Sequence, residues 1–235
     1  MPASVVPSWL YLPGIAAAGD TFLLPEDEAH YVGRVCRAKP GERATGTDGL
    51  GMVMDFELVS VARQVEVRVL ARRHAARPHE ARVLCGAPEG TRADWLVEKL
   101  GELGVAQLIP LECARANWRD ARLDRARKLA IAALRQSCSA WLLQVRDPLP
   151  IPAAIATLPA AAARWIAEAG AEHSGVRGEL PALSVAAVGP ASGFEPEERE
   201  WFAAAGFTAI RLAGARLRTE TAAIAWASGW AAASV

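Results

Sequence analysis

Lysine is scarce in this chain. Of 235 residues 26 are basic, and only Lys39, Lys99 and Lys128 are lysine, so arginine, whose planar fork suits phosphate and carboxylate, carries nearly all the positive charge. An excess of either sign is also missing. The 26 acidic residues cancel the 26 basic ones, so no global field draws the protein to nucleic acid or anionic lipid, and such binding has to come from a local patch. The cysteines Cys36, Cys85, Cys113 and Cys138 include no C-x-x-C pair and the four histidines form no cluster, which speaks against a disulfide scaffold and against any metal. The apolar run at 222–235 is too short for a bilayer span, which needs about 20 residues. The apolar stretch at 5–18 contains Pro7 and Pro13 and follows no basic residue, unlike a signal peptide. The expectation is a cytoplasmic protein with no membrane partner.

What is present is the composition of a folded protein, 52% hydrophobic and 22% charged, with length for one or two domains. Residues 9–72 read as mostly extended, with alternation at 52–61, a turn at Asp48-Gly49-Leu50-Gly51, a strand face of Val65, Val67 and Val69, and one helix at about 26–37. The polar, aperiodic 72–78 segment ends in Pro78 and reads as a linker, giving domains at 1–75 and 79–235. Beyond it the period changes. Strands are predicted at 81–87, 105–111, 164–167, 183–188 and 208–212, and helices at 91–103, 120–138, from 195, and at the C-terminus, with a proline-broken Ala-rich segment before residue 164. This alternation predicts an α/β domain with a mostly parallel sheet covered by helices on both faces.

Charge by region says more than the total. Residues 81–146 hold 11 basic against seven acidic residues, while the flanking regions are slightly acidic. Within it Arg115, Arg119, Arg122, Arg125, Arg127, Lys128 and Arg135 stand near only Asp120 and Asp124, a density that suits phosphate neutralisation and equally suits a solvated helix face.

Two segments carry the chemistry. In the first, the strand at 183–188 runs into Gly189-Pro190-Ala191-Ser192-Gly193-Phe194 and then Glu195-Pro196-Glu197-Glu198, a glycine turn and a helix start. Ligands of open α/β sheets sit at such carboxyl ends of strands. The turn lacks dinucleotide and P-loop spacings, its early glutamates would repel phosphate, and alone it fits a plain strand-to-helix turn. In the second, Ile210-Arg211-Leu212-Ala213-Gly214-Ala215-Arg216-Leu217-Arg218-Thr219-Glu220-Thr221 leads from a strand into an apolar helix. Thr219 or Thr221 is placed to cap that helix and Glu220 to pair with Arg218. The helix is apolar nearly all round, so it is expected to be buried, in part against a second subunit. Two glycine loops on successive strands point at one pocket.

Leu217-Arg218-Thr219-Glu220-Thr221-Ala222 is nearly the signature hexapeptide of the ribosomal RNA small-subunit methyltransferase E family, and the Gly189 to Phe194 loop resembles that family's G-P-E-G-G-[FW]. Similarity continues through Glu98 to Val105, Gln136-Ser137, and the stretch from His30 to Gly41 that contains Arg34, Arg37 and Lys39. The resemblance implies a small PUA-like β-barrel for RNA binding (1–75), followed by a SPOUT-type α/β methyltransferase domain (79–235) whose C-terminal trefoil knot binds S-adenosylmethionine. It further implies a homodimer acting on N3 of a uridine in 16S ribosomal RNA, with ribosomal RNA or the small subunit as partner. Carried onto this chain, the cofactor residues are Gly189, Pro190, Gly193, Leu212, Gly214, Leu217, Arg218, Thr219 and Thr221. Arg218 is the candidate that stabilises the uracil edge, and Arg34, Arg37, Lys39, Arg115 and Arg122 are the RNA-binding candidates. The chain departs from the family pattern at Ala191 and Ser192, and at Arg135, Cys138 and Ser139, where E-Q-[SC]-G-R is usual. The alternative is a knotted dimer that binds RNA, with or without cofactor, but has another target or little methyltransferase activity.

Overall fold

Alternation and turn chemistry account for the first half of the chain. In the computed structural model, which describes residues 5–173 and 181–234, the chain divides into two units. One runs to Arg77 and takes in Leu134–Leu142; the other comprises Pro78–Ala133 and the chain from Leu143 onward. The expected first domain begins at residues 1–4, which lie outside the described residues.

The first unit is a five-stranded sheet in the order β1-β3-β4-β5-β2, built from β1 (Val5–Tyr11), β2 (Thr21–Leu23), β3 (Arg43–Thr47), β4 (Met52–Val61) and β5 (Val65–His74). Only β1 and β3 run parallel; the other neighbours are antiparallel. In β4, Met54, Phe56 and Leu58 are fully buried and pack with Leu10, Val32, Val65 and Val67, the core that the alternation at 52–61 predicts. The turn before β4 is held by the Asp48 carboxylate, which accepts from the amides of Leu50 at 2.7 Å and Met52 at 3.0 Å. The helix predicted at 26–37 begins as α1 (Glu26–His30) and continues as a π-helix over Tyr31–Val35.

Two expectations need correcting here. Arg72, Arg73 and His74 are not linker but the end of β5, where Arg72 pairs with Asp20 and Arg73 with Asp55. Arg135 does not add to a basic face, because its guanidinium is paired with the buried carboxylate of Glu28 and lies 5.4 Å from the centre of the Tyr31 ring. The rest of the 134–142 piece is tied to this unit as well. The Ser139 carbonyl accepts from the Trp9 indole at 2.8 Å, and the Ala140 carbonyl from the Thr47 hydroxyl at 2.9 Å. Three positions that depart from the family pattern therefore lie in a segment knitted into the first unit.

The second unit is built on a seven-stranded sheet in which every pairing is parallel, in agreement with the βα alternation. Its strands are β6 (Glu80–Cys85), β7 (Gln107–Glu112), β8 (Gln144–Val145), β9 (Leu149–Pro150), β10 (Ala163–Ala167), β11 (Leu183–Val188) and β12 (Thr208–Ile210), in the order β12-β10-β11-β6-β7-β8 with β9 also on β7. The helices are α2 (Arg92–Glu102), α3 (Asp120–Ser137, whose last turn belongs to the first unit), α4 (Ile151–Ala156), α5 (Pro196–Ala204) and α6 (Thr219–Ala233). The Ala-rich segment read as proline-broken contains α4, because Pro152 falls in the first turn, where a missing amide costs nothing.

Register shows which helix covers which face. Ile166, Ala187, Leu84 and Ile109 are paired across neighbouring strands and form one face, packed with Ile151 and Ala154 of α4 and with Phe202 of α5. Their predecessors Trp165, Ala186, Val83 and Leu108 form the other face, where Trp165 meets Trp226 of α6 with ring centres 6.2 Å apart. Helix α6 thus packs over β6 and β11 and beside α2, with Ala223, Trp226, Ala227 and Trp230 buried. It is not buried all round within the chain: Ser228, Gly229 and Ala232 are exposed.

Candidate functional site

The strand ends converge where the two glycine segments predict a pocket. Residues after β10, β11 and β12 line one cavity of about 390 Å³, within the usual size range of small-molecule sites. Its walls are formed by Val188 to Phe194 after β11, by Leu212, Ala213 and 215–217 after β12, by Thr219 and Ala222 at the start of α6, and by Glu168 and Arg199.

Three contacts fix the loops. Thr219 donates its hydroxyl to the Gly189 carbonyl at 2.9 Å, which joins the start of α6 to the end of β11. Arg216 donates to the Ala191 carbonyl at 2.7 Å. Within the first loop the Gly193 amide donates to the Pro190 carbonyl at 2.8 Å, closing a turn that sets Gly193 at φ +78°, a region glycine tolerates at little cost. The loop is pressed from outside by Gly86, the residue after β6, where a Cβ would stand 2.5 Å from the Pro190 nitrogen.

The helix after the loop is capped by its own acids. The Glu195 amide donates to the Glu198 carboxylate at 2.7 Å, and the second oxygen of buried Glu198 accepts from the Ala114 amide at 2.8 Å. Glu195 is in turn ion-paired with Arg115. The positive end of α5 is occupied by carboxylates, so the cavity does not offer a phosphate site there.

Charge inside the cavity comes from Glu168, Arg199 and Arg216. Glu168 and Arg199 face each other at 3.2 Å. The remaining lining is mostly apolar or backbone, with Val188, Phe194, Leu212, Leu217 and Ala222 as the apolar part. The cavity thus combines an internally paired carboxylate, a second arginine, apolar side chains and loop backbone.

Of the candidates named from the sequence, Gly189, Pro190, Gly193, Leu212, Leu217 and Thr219 line this cavity. Gly214, Arg218 and Thr221 are not among its lining residues. Gly214 has nothing within 4 Å of where a Cβ would stand. Arg218 is exposed at the N-cap of α6, and Thr221 is half-buried in its first turn. Glu220 is buried and pairs not with Arg218, as the local sequence suggests, but with Arg92 at 3.3 Å.

The basic stretch is less free than its sequence implies. Besides the Arg115–Glu195 pair, Arg125 pairs with Asp94 at 2.7 Å, Arg127 with Asp124 and Asp147, and Arg122 donates to the Pro88 carbonyl at 3.3 Å. In the first unit Arg34, Arg37 and Lys39 are exposed, with Arg37 at φ +53°.

Sequence reasoning missed Glu168, Arg199, Gly86 and Arg92. Glu168 directly follows a predicted strand, so the strand-end rule was able to find it. Nothing local marks the other three. Among the described residues no group of three or more His, Cys, Asp or Glu is placed to hold a metal ion, and no helix is long and apolar enough to cross a membrane.

Comparison with known proteins gives one consistent result. A family model described as an RNA methyltransferase domain matches residues 75–231. The ribosomal RNA small subunit methyltransferase E of Mycobacterium bovis is 28% identical, over 91% of this chain and 87% of its own length. A crystal structure of the enzyme of that name from Neisseria gonorrhoeae, bound to S-adenosyl methionine, is 27% identical with a TM-score of 0.86, covering 94% of this chain and 95% of that one. A probable rRNA-methyltransferase from Porphyromonas gingivalis is 29% identical with a TM-score of 0.85, over 96% and 98%.

Proposed function

This chain belongs to the RNA methyltransferase domain family, and we propose that it transfers a methyl group from S-adenosylmethionine to N3 of a uridine in 16S ribosomal RNA. The observation that carries the proposal is the cavity lined by the loops after both β11 and β12, which the Thr219–Gly189 bond joins. Supporting it are the small-subunit methyltransferase E relatives, one of which holds S-adenosyl methionine in its crystal structure.

The residues present fit that molecule. Leu212, Leu217, Phe194 and Val188 offer an apolar slot for an adenine ring, and the loop backbone offers amides and carbonyls to its polar edges. Glu168 places a carboxylate in the wall for a cationic ligand, with Arg199 fixing its direction. Bound there, S-adenosylmethionine supplies a methyl group on a positively charged sulfur, open to in-line attack. The protein's part is alignment and electrostatics. The loops fix the donor, and Arg218, exposed at the N-cap of α6 between the cavity residues Leu217 and Thr219, is the residue proposed to favour the deprotonated uracil edge. Glu220 is buried and ion-paired with Arg92.

The same reading includes a trefoil knot, a homodimer and a PUA-like first unit. After β12 at the sheet edge, the chain returns past the 189–193 loop so that α6 packs on β6 and β11 in the middle of the sheet, a path that favours threading. The exposed side of α6 at Ser228, Gly229 and Ala232 favours a second copy. In the first unit Arg34, Arg37 and Lys39 are available to RNA phosphates. Ala191 and Ser192 in the cofactor loop favour the second reading, an RNA binder with another target or little activity. Calorimetry with S-adenosylmethionine tests the cofactor site: saturable binding at one site per chain supports the proposal, and no heat of binding contradicts it.

A further inference from the structure

Arg92 stands at the wrong end of its helix. As the first residue of α2 it places a cation where the helix dipole is positive, so it adds nothing to that helix. It is held there by Glu220, whose side chain is only 5% exposed and whose oxygen lies 3.3 Å from the Arg92 Nε, while Glu89 stands 3.7 Å from Nη1. A buried carboxylate paired on one side with a half-open arginine is a poor stabiliser, because desolvation offsets most of the attraction.

The pair sits beside the cofactor loop. Glu220 follows Thr219, the residue that closes the cavity. Arg92 follows the loop that Gly86 presses against Pro190 and whose Pro88 carbonyl is held by Arg122. The side chain of Arg92, 38% exposed, is thus held at the start of α2 by a residue adjacent in sequence to the cavity residue Thr219.

We infer that Arg92 binds a phosphate of the RNA nucleotide presented for methylation and that Glu220 is the positioning residue that aims it. This rests on the RNA methyltransferase reading above, which assigns no role to either residue in RNA binding. The fork of a guanidinium suits a phosphate, and with Glu220 at Nε and Glu89 3.7 Å from Nη1 the Arg92 side chain still keeps 38% of its surface open.

The test is binding of 16S ribosomal RNA across a salt series, with S-adenosylmethionine affinity and melting temperature measured on the same variants. Arg92→Ala should weaken RNA binding about tenfold and lower the salt slope by about one. Glu220→Gln should weaken binding several-fold with the slope kept, because the charge remains but its aim is lost. Arg92→Ala leaves Glu220 buried and unpaired and is able to destabilise the fold. The double variant Arg92→Ala, Glu220→Gln removes both charges, and should return to the parent melting temperature while RNA binding stays weak. Parental RNA affinity and slope in either variant lacking Arg92 overturn the inference and make the pair structural only. Loss of S-adenosylmethionine binding in the folded double variant assigns the pair to the cofactor and overturns it too. Absence of S-adenosylmethionine binding in the parent contradicts the proposed function instead, and the RNA series is read independently of it.

Discussion

The hydroxyl of Thr219 donates to the carbonyl of Gly189 across 30 residues of chain, at 2.9 Å, and that bond holds together the two loops of the candidate cofactor site. Thr219 is buried, so Thr219→Val keeps the shape and removes the donor. A hydrogen bond of this kind contributes about 1 kcal/mol, which corresponds to a several-fold change in an equilibrium constant. S-adenosylmethionine affinity measured by calorimetry should fall by that factor in the valine variant and remain near parental in Thr219→Ser.

Gly86 and Pro190 make the second prediction. A Cβ on residue 86 would stand 2.5 Å from the Pro190 nitrogen, against backbone rather than a flexible side chain. Gly86→Ala should therefore push the 189–193 loop out of place and abolish S-adenosylmethionine binding, with the circular dichroism spectrum unchanged. Parental affinity would show that the loop position is not needed.

How much of this was legible in the sequence depends on range. Strand β11 was predicted with its observed bounds, and α2, α3 and α6 to within a few residues, because alternation, helical periodicity and caps are local. Strands β8 and β9, two residues each, carry no period to detect. The cavity was legible as two strand-end loops. Its Glu168–Arg199 pair was not, because the two residues come from different elements. For the same reason the basic stretch looked unpaired, since its carboxylates come from Asp94, Asp147 and Glu28. Assignment of 134–142 to the first unit depends on contacts such as Trp9 to Ser139 that no local pattern encodes.

Thiol chemistry should divide the cysteines in two. Burial pushes the thiol of Cys85 far up and that of Cys113 to about 12, each helped by a neighbouring negative group, so both remain protonated and inert at neutral pH. Cys138 is exposed and Cys36 half-buried. Alkylation of the folded protein at pH 8, read by mass spectrometry, should modify Cys138 first and leave Cys85 and Cys113 untouched until denaturant is added.

The buried Glu28–Arg135 pair gives a pH-dependent prediction. Burial raises the Glu28 pKa, opposed by hydrogen bonding and charge from Arg135. A carboxyl whose pKa is raised on folding favours the folded state below its ordinary range, and that contribution is lost as pH climbs through the raised value. Arg135→Ala leaves the charge uncompensated and should cost about 3–5 kcal/mol at neutral pH. The deficit should shrink in acid, where Glu28 takes up a proton, and chemical denaturation at two pH values measures it. A deficit independent of pH would mean that packing of Arg135 on Tyr31, not charge, is what matters.

The decisive measurement of the proposed methyl transfer is incubation of the protein with S-adenosylmethionine labelled in its methyl group and small ribosomal subunits lacking the modification, followed by digestion of the RNA to nucleosides. Label should appear in N3-methyluridine from 16S ribosomal RNA and be lost in Arg218→Ala. Saturable cofactor binding with no label entering RNA, or label in a different nucleoside, would contradict the proposed N3 transfer.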